Sequence, residues 1–417
     1  MKKHALIETL VGLKGNPRGC VYAEPLWGIP YNLFSPYTSV FMLGLGLVDR
    51  QIGLIVSVSW ALQVVFALLS GAITDKLGRR LTTMVFDILS WSCFALISAL
   101  ARNFWWFLAA GVVNSAWRIT QNSWSCLLVE DAEPAQLVGI YSWIYIANIV
   151  AGFAAPLAGL FIARYDLVPT VRGLYIFAAA MFTIKALVTY FLTRETRQGA
   201  VRRRETRGAS LASVLRGYGV VLREIARTPG TILAGTILII ISITSMISGS
   251  FWSILTMEKL GLPAKDLAIF PFVKSAVTIG LFFTVTPWLA KRHFRLPLAF
   301  GFVLFAASQL LYAVAPVHGY AFLFAGALLE AAGLAVANPL VDRLVALSVN
   351  PAERARIQSL LYVGVILISS PFGWIAGELS QLDRSVPFAL NLVLYALGAA
   401  LALAAGKRNP EPGGIAQ

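Results

Sequence analysis

The sequence predicts an all-α membrane protein in which twelve transmembrane helices form two pseudo-symmetric six-helix bundles. Three observations carry this: too few charges for a soluble chain, apolar stretches of bilayer length along nearly all of it, and basic residues gathered in alternate loops. Of 417 residues, 34 are Lys or Arg and 20 are Asp or Glu. That is 13% charged, against ~25% in an ordinary soluble domain, while 58% are hydrophobic. A water-soluble fold could not hide so much apolar surface. These figures also exclude a disordered chain, and a cysteine complement of only Cys20, Cys93 and Cys126 excludes a disulfide scaffold.

The first element, residues 1–24, is expected to be a cytoplasmic arm. Lys2, Lys3, Lys14 and Arg18 stand there without the apolar run of roughly 7–15 residues that a signal peptide needs. Spans follow at 25–48, 51–73, 81–101, 104–128, 137–162 and 173–193, and then at 230–255, 266–290, 296–316, 319–345, 355–378 and 386–406. Each approaches the ~20 apolar residues needed to cross a bilayer, and helix is the form that satisfies every backbone group within its own segment. With both termini cytoplasmic, 23 of the basic residues fall on the cytoplasmic side, seven on the other face and four within spans. This asymmetry gives the orientation and points to the cytoplasmic (inner) membrane. It also removes any need to read the net charge of +14 as a nucleic-acid surface.

Residues 194–229 form a basic linker between an N-terminal bundle, 25–193, and a C-terminal bundle, 230–406, before a cytoplasmic tail, 407–417. Within the linker, Leu211, Val214, Leu215, Tyr218, Leu222 and Ile225 recur at helical spacing, as expected of an amphipathic helix lying on the inner leaflet. A weak repeat supports the division. Pro134, Ala135, Ile140 and Ser142 return 217 residues later as Pro351, Ala352, Ile357 and Ser359, and Pro156 has a counterpart in Pro371.

Between spans 2 and 3 stands Gly71-Ala72-Ile73-Thr74-Asp75-Lys76-Leu77-Gly78-Arg79-Arg80. Its physics can be read directly. Gly71 would let span 2 approach a neighbouring helix, and Gly78 permits a tight turn. Asp75, at a helix C-terminal end, should seek a cation such as Arg79 or the N-terminus of another helix. The stretch resembles the G-x-x-x-D-[RK]-x-G-R-[RK] signature of the major facilitator superfamily, and with the 6+6 division the resemblance covers essentially the whole chain. It implies alternating access, with Gly71, Asp75, Lys76, Gly78, Arg79 and Arg80 as a conformational latch toward the start of span 11, near residues 355–358. The corresponding segment of the second half, Lys291-Arg292-His293-Phe294-Arg295, keeps charge but lacks the Asp and Gly, so a one-sided latch is expected.

Charges inside spans are costly, at least ~2.5–3.5 kcal/mol on insertion scales, and each one is a pathway or pairing candidate. Asn114, Arg118, Gln121, Asn122 and Ser125 make a polar stripe on span 4 that is expected to face water. Arg118 and Gln121 resemble the R-x-x-Q-G element of the family's fourth helix, implicated in proton transfer or substrate binding, with Asn122 in place of the Gly. The alternative role for Arg118 is to pin span 4 to span 1. Lys274 and Glu330 lie at similar depths, to pair permanently or to line one cavity and exchange a proton. Asp87 and Lys185 are read as a buried structural ion pair, because the resemblance places the third and sixth helices side by side. Glu24 is placed at the mouth of span 1, where some proton-coupled exporters of the superfamily carry an acid. Asp342 and Arg343 are assigned to the cytoplasmic gate.

Trp60, Tyr141, Tyr145, Trp252 and Tyr362 are cavity-lining or interface aromatics. Ala155-Pro156-Leu157-Ala158-Gly159 resembles a degraded antiporter motif. No histidine relay, metal cluster or Walker motif is visible, so no cofactor and no direct use of ATP are expected. The leading expectation is a monomeric secondary transporter of a small organic molecule, coupled to protons, with export ahead of uptake. Uptake of an organic anion or sugar, and lipid or glycolipid flipping, are the alternatives. An intramembrane enzyme or a channel lacks its catalytic set or pore repeat.

Overall fold

The structure is a computed structural model that describes residues 10–133, 136–206, 229–289, 295–347 and 354–405. The linker helix expected over 209–227, the tail and the left-hand members of both repeats, Pro134, Ala135, Pro351 and Ala352, lie outside the described residues. The described residues contain helix and no strand. Nine stretches among them are long and apolar enough to cross a membrane: Asp49–Leu77, Arg79–Leu100, Gly139–Tyr165, Leu167–Leu192, Gly230–Lys259, Arg295–Val314, Tyr320–Val341, Leu360–Leu382 and Val386–Ala404.

Two compact units are formed, Met1–Arg216 with Pro263–Phe272, and Gly217–Leu262 with Val273–Gln417. In the first, span 1 is built from α1 (Gly15–Ala23), α2 (Pro25–Phe34), a 3-10 turn and α3 (Thr38–Gly44). Next come α4 (Asp49–Leu77), then α5 (Arg79–Asp87) and α6 (Cys93–Leu100) around a π turn at Ile88–Ser92. α7 (Phe104–Ser115) and α8 (Trp117–Val129) make span 4, and α9 (Leu137–Gly152) and α10 (Ala155–Tyr165) make span 5. α11 (Leu167–Leu192) is span 6, and the short α12 (Arg197–Glu205) follows it.

The helical path of span 1 therefore begins ten residues before the expected point, at Gly15, and Glu24 is a buried residue within it. A single charge reads as a boundary in the sequence, but Gly19-Cys20-Val21-Tyr22-Ala23 carries the helix up to it without a break.

Aromatic rings knit spans 1, 3 and 6 together. Trp27 meets Trp91 edge-on at 5.1 Å, Phe34 lies 4.6 Å from Tyr175, and Trp91 lies 5.7 Å from Phe182. In lipid there is little hydrophobic drive between helices, so close fit and ring geometry replace it. Lys265 also belongs to this unit. Its carbonyl reaches so close to Gly159 on α10 that a methyl group there would overlap it, and Phe272 meets Phe153 at 5.3 Å.

The second unit consists of α13 (Pro229–Ile254) with a π turn at Leu255–Lys259, α14 (Ile269–Leu289), α15 (Arg295–Val314), α16 (Tyr320–Leu347), α17 (Arg354–Ser369), α18 (Pro371–Leu382) and α19 (Val386–Ala405). The first residues of α14 pack with the first unit. Its core joins Ile237, Phe302, Phe305, Ala337, Leu340, Tyr395 and Ala402, with Phe305 stacked on Tyr395 at 4.9 Å. Spans 5 and 11 share one device: each breaks just before a proline, Pro156 or Pro371, which occupies the first turn of the following helix, where its missing N–H costs nothing.

Candidate functional site

The signature loop is assembled by span ends that lie far apart in sequence. α4 ends at Leu77, and Gly78 turns the chain at φ 90°, a region open to glycine at no steric cost. The turn brings Arg79 back onto Asp75, Nη1 to Oδ1 at 2.7 Å, while its other nitrogens reach Glu130 at the end of α8 at 3.1–3.2 Å. Arg79 is buried, so a bidentate carboxylate partner is what makes its burial tolerable. Arg80 donates to the Tyr190 carbonyl at 2.8 Å and lies over the Tyr190 ring at 3.8 Å. Lys76 is exposed. Gly71 does not do what the sequence suggested, since a methyl group built on it meets nothing within 4 Å. Close helix approach is supplied elsewhere, as at Gly28, whose Cβ would lie 2.8 Å from that of Ala151.

Deeper in the same unit, Lys185 Nζ lies 2.5 Å from Asp87 Oδ2, both buried, and stands 6.0 Å from the Trp124 ring. Glu24 shares this neighbourhood. The Lys185 ammonium acts electrostatically on it, and Asn148 Nδ2 donates to its Oε1 at 3.2 Å. Two carboxylates thus face one ammonium in a setting of low dielectric.

The helix of span 4 is interrupted at Ala116, and part of its polar stripe is turned to protein partners. Asn114 donates to the Ser90 carbonyl of the π turn at 3.0 Å, and Asn122 donates to Thr74 Oγ1 at 3.1 Å. Arg118 and Gln121 stay together, Nη1 to Oε1 at 2.8 Å, and Arg118 Nε donates to Gln63 Oε1 at 2.9 Å. This ties Arg118 to span 2.

In the second unit, Lys274 Nζ pairs with Glu330 Oε1 at 3.0 Å, and the Tyr312 hydroxyl donates to Glu330 Oε2 at 3.2 Å. Glu330 is mostly enclosed, with its side chain 17% exposed, against 35% for Lys274. Asp342 and Arg343 lie on α16, with side chains outside the described residues. No group of three His, Cys, Asp or Glu among the described residues is placed to hold a metal ion.

Sequence reasoning missed Gln63, Glu130, Asn148, Glu195 and Tyr312. It also missed a buried amide cluster in which Asn391 Nδ2 donates to Gln309 Oε1 at 3.0 Å and Ser248 Oγ at 3.1 Å. Uncharged amides leave no mark on hydropathy. Glu130 and Glu195 sit at span ends, where a carboxylate is unremarked.

The model of the Major Facilitator Superfamily matches residues 28–316, more than half of the chain. No curated protein matches it in sequence. Among solved structures, it is similar to the nucleoside transporter NupG, with TM-score 0.73, 14% identity, and coverage of 94% of this chain and 100% of that one. A bacterial homolog of the human lysosomal transporter Spinster, inward-facing and unoccupied, matches with TM-score 0.66 and 16% identity over 98% of both chains. The human organic anion transporter MFSD10 matches with TM-score 0.60 and 17% identity, over 95% of this chain and 98% of that one. At these identities the likeness is one of fold.

Proposed function

The chain belongs to the major facilitator superfamily, and from that premise we propose that it moves a small organic molecule by alternating access coupled to protons, with export ahead of uptake. It is a multi-pass membrane transporter and not an enzyme.

The observation that carries the coupling is the contact of Lys274, Glu330 and Tyr312. Glu330 lies ten residues beyond the start of α16 at Tyr320, ~15 Å along its axis. A carboxylate held at that depth between an ammonium and a hydroxyl is the group proposed to carry the coupled proton. Lys274 is the cation proposed to meet a carboxylate or phosphate on the substrate.

Glu24 favours the export direction. It is the acid of span 1, and its ammonium neighbour is already committed to Asp87. The loop from Gly71 to Arg80 acts as the conformational latch. The orientation proposed is both termini cytoplasmic, in the inner membrane.

Candidate substrates come first from a thermal-shift screen of the purified protein against nucleosides, organic anions, sugars, peptides and lipids. The best ligand is then followed in proteoliposomes with an imposed pH gradient. Glu330→Gln should abolish gradient-driven accumulation while sparing exchange of substrate across the membrane. Accumulation at the wild-type rate in that variant would remove Glu330 from the coupling.

A further inference from the structure

α12 is bolted down at both ends. Thr196 caps it, its hydroxyl accepting the Gly199 N–H at 2.9 Å and donating to Glu130 Oε2. The Arg197 N–H reaches Asp131 Oδ1 at 3.3 Å, and beyond the last turn Thr206 Oγ1 donates to the Asp75 carbonyl at 3.2 Å. Gly199 is pressed so closely inward that a methyl group there would come within 2.7 Å of Arg79 Cδ.

This fixed helix is strongly basic. Arg197, Arg202, Arg203 and Arg204 are all exposed. Glu205, 3.1 Å from Arg202, is the only carboxylate in the helix, so four positive charges less one leaves three. The depth of this helix follows from its neighbours. α11 ends with Phe191 and Leu192, 74% and 55% exposed, apolar side chains that in a membrane protein face lipid. Arg197 comes five residues after Leu192.

We propose that the exposed arginines of α12 make a docking surface for anionic phospholipid headgroups of the leaflet it borders. Charge complementarity selects the partner. Four long cationic side chains on a short helix at the edge of the hydrocarbon can reach lipid phosphates. A zwitterionic lipid offers the same phosphate with no net charge, so the preference is for lipids of net negative charge. Because the helix is already held by Thr196, Asp131 and Asp75, binding does not have to order it. This inference requires only that the chain is embedded in a membrane, so its outcome and that of the transport proposal are independent.

The test uses the full chain in a mild detergent, titrated separately with phosphatidylglycerol, phosphatidylcholine and inorganic phosphate while thermal unfolding is followed. Each arginine near such a surface contributes roughly fivefold in affinity. R202Q/R203Q/R204Q should therefore raise the half-saturating phosphatidylglycerol concentration at least about tenfold, and R202K/R203K/R204K should hold it near wild type. Should the triple glutamine variant not fold, Arg203→Gln and Arg204→Gln should each shift the half-saturating concentration roughly fivefold. Equal phosphatidylglycerol response in wild type and the glutamine variants would overturn the proposal. So would inorganic phosphate reproducing the stabilisation, which would mark a general anion site, or phosphatidylcholine matching phosphatidylglycerol.

Discussion

Glu195 closes the amino end of α5 with both of its carboxylate oxygens. Oε1 accepts the Arg79 N–H at 2.8 Å, and Oε2 accepts the Arg80 N–H at 3.2 Å. The first N–H groups of any helix lack partners within it, and a carboxylate there also meets the favourable end of the helix dipole. The glutamate comes from the chain just after span 6, so the turn at Gly78 is held from outside its own hairpin. Gly78 must stay small for this, since a Cβ there would lie 2.5 Å from Glu195 Oε2.

Glu195→Ala should destabilise the first unit by ~1.5–3 kcal/mol, the range for a hydrogen bond to a charged group. Glu195→Gln, which keeps one acceptor oxygen, should lose about half as much. Thermal unfolding in detergent reads both, and equal midpoints for wild type and Ala would show that the cap contributes nothing.

Asp87→Asn alone leaves the buried Lys185 ammonium without its carboxylate. A single break of a buried pair costs ~3–5 kcal/mol, whereas replacing both partners by apolar residues is often neutral. Asp87→Leu combined with Lys185→Met should unfold at a higher temperature than Asp87→Asn. Should the double variant be no more stable than the single one, the pair is not the reason these charges are retained.

Gly159→Ala sets a methyl group against the Lys265 carbonyl. Overpacking of this kind costs ~1–3 kcal/mol. It should also loosen the segment at Ala264–Asp266, seen as faster amide exchange there than in wild type. Unchanged exchange would show that the contact yields without consequence.

Asp383 lies between α18 and α19, where Lys259 Nζ meets its Oδ1 at 2.5 Å and the Ser385 N–H donates to the same oxygen. The Lys259 ammonium, and then the Ser385 N–H, hold this carboxyl below the usual aspartate range. The folded pKa is depressed, so the stabilisation is complete above the ordinary value of ~3.9 and fades as pH falls through the folded value. Asp383→Asn should be less stable than wild type at neutral pH, and the two midpoints should converge below about pH 4. Parallel curves down to low pH would remove the ion pair as the cause. The effect is small, because both side chains are well exposed, and it should shrink in high salt.

How much of this was legible beforehand differs from residue to residue. Asp75, Gly78 and Arg79 announced themselves by spacing, and the ends of α4, α15 and α19 fall within about four residues of their predicted positions. The start of span 1 did not, because Glu24 reads as a boundary until Asn148 and Lys185 are seen beside it. The interruption of span 4 at Ala116 was not legible either, because no glycine or proline marks it.

Taken alone, the sequence determined the fold class, the order of the spans, the signature loop and which side chains carry charge into apolar surroundings. Those are local quantities, fixed by hydropathy over ~20 residues and by spacing within one loop. Only the tertiary structure decided which groups meet: Glu130 and Glu195 on Arg79, Gln63 on Arg118, Tyr312 on Glu330. These pairings join residues 18 to 116 positions apart. A buried charge takes whatever partner the packing of helices brings within reach, and no local pattern in the chain records that choice.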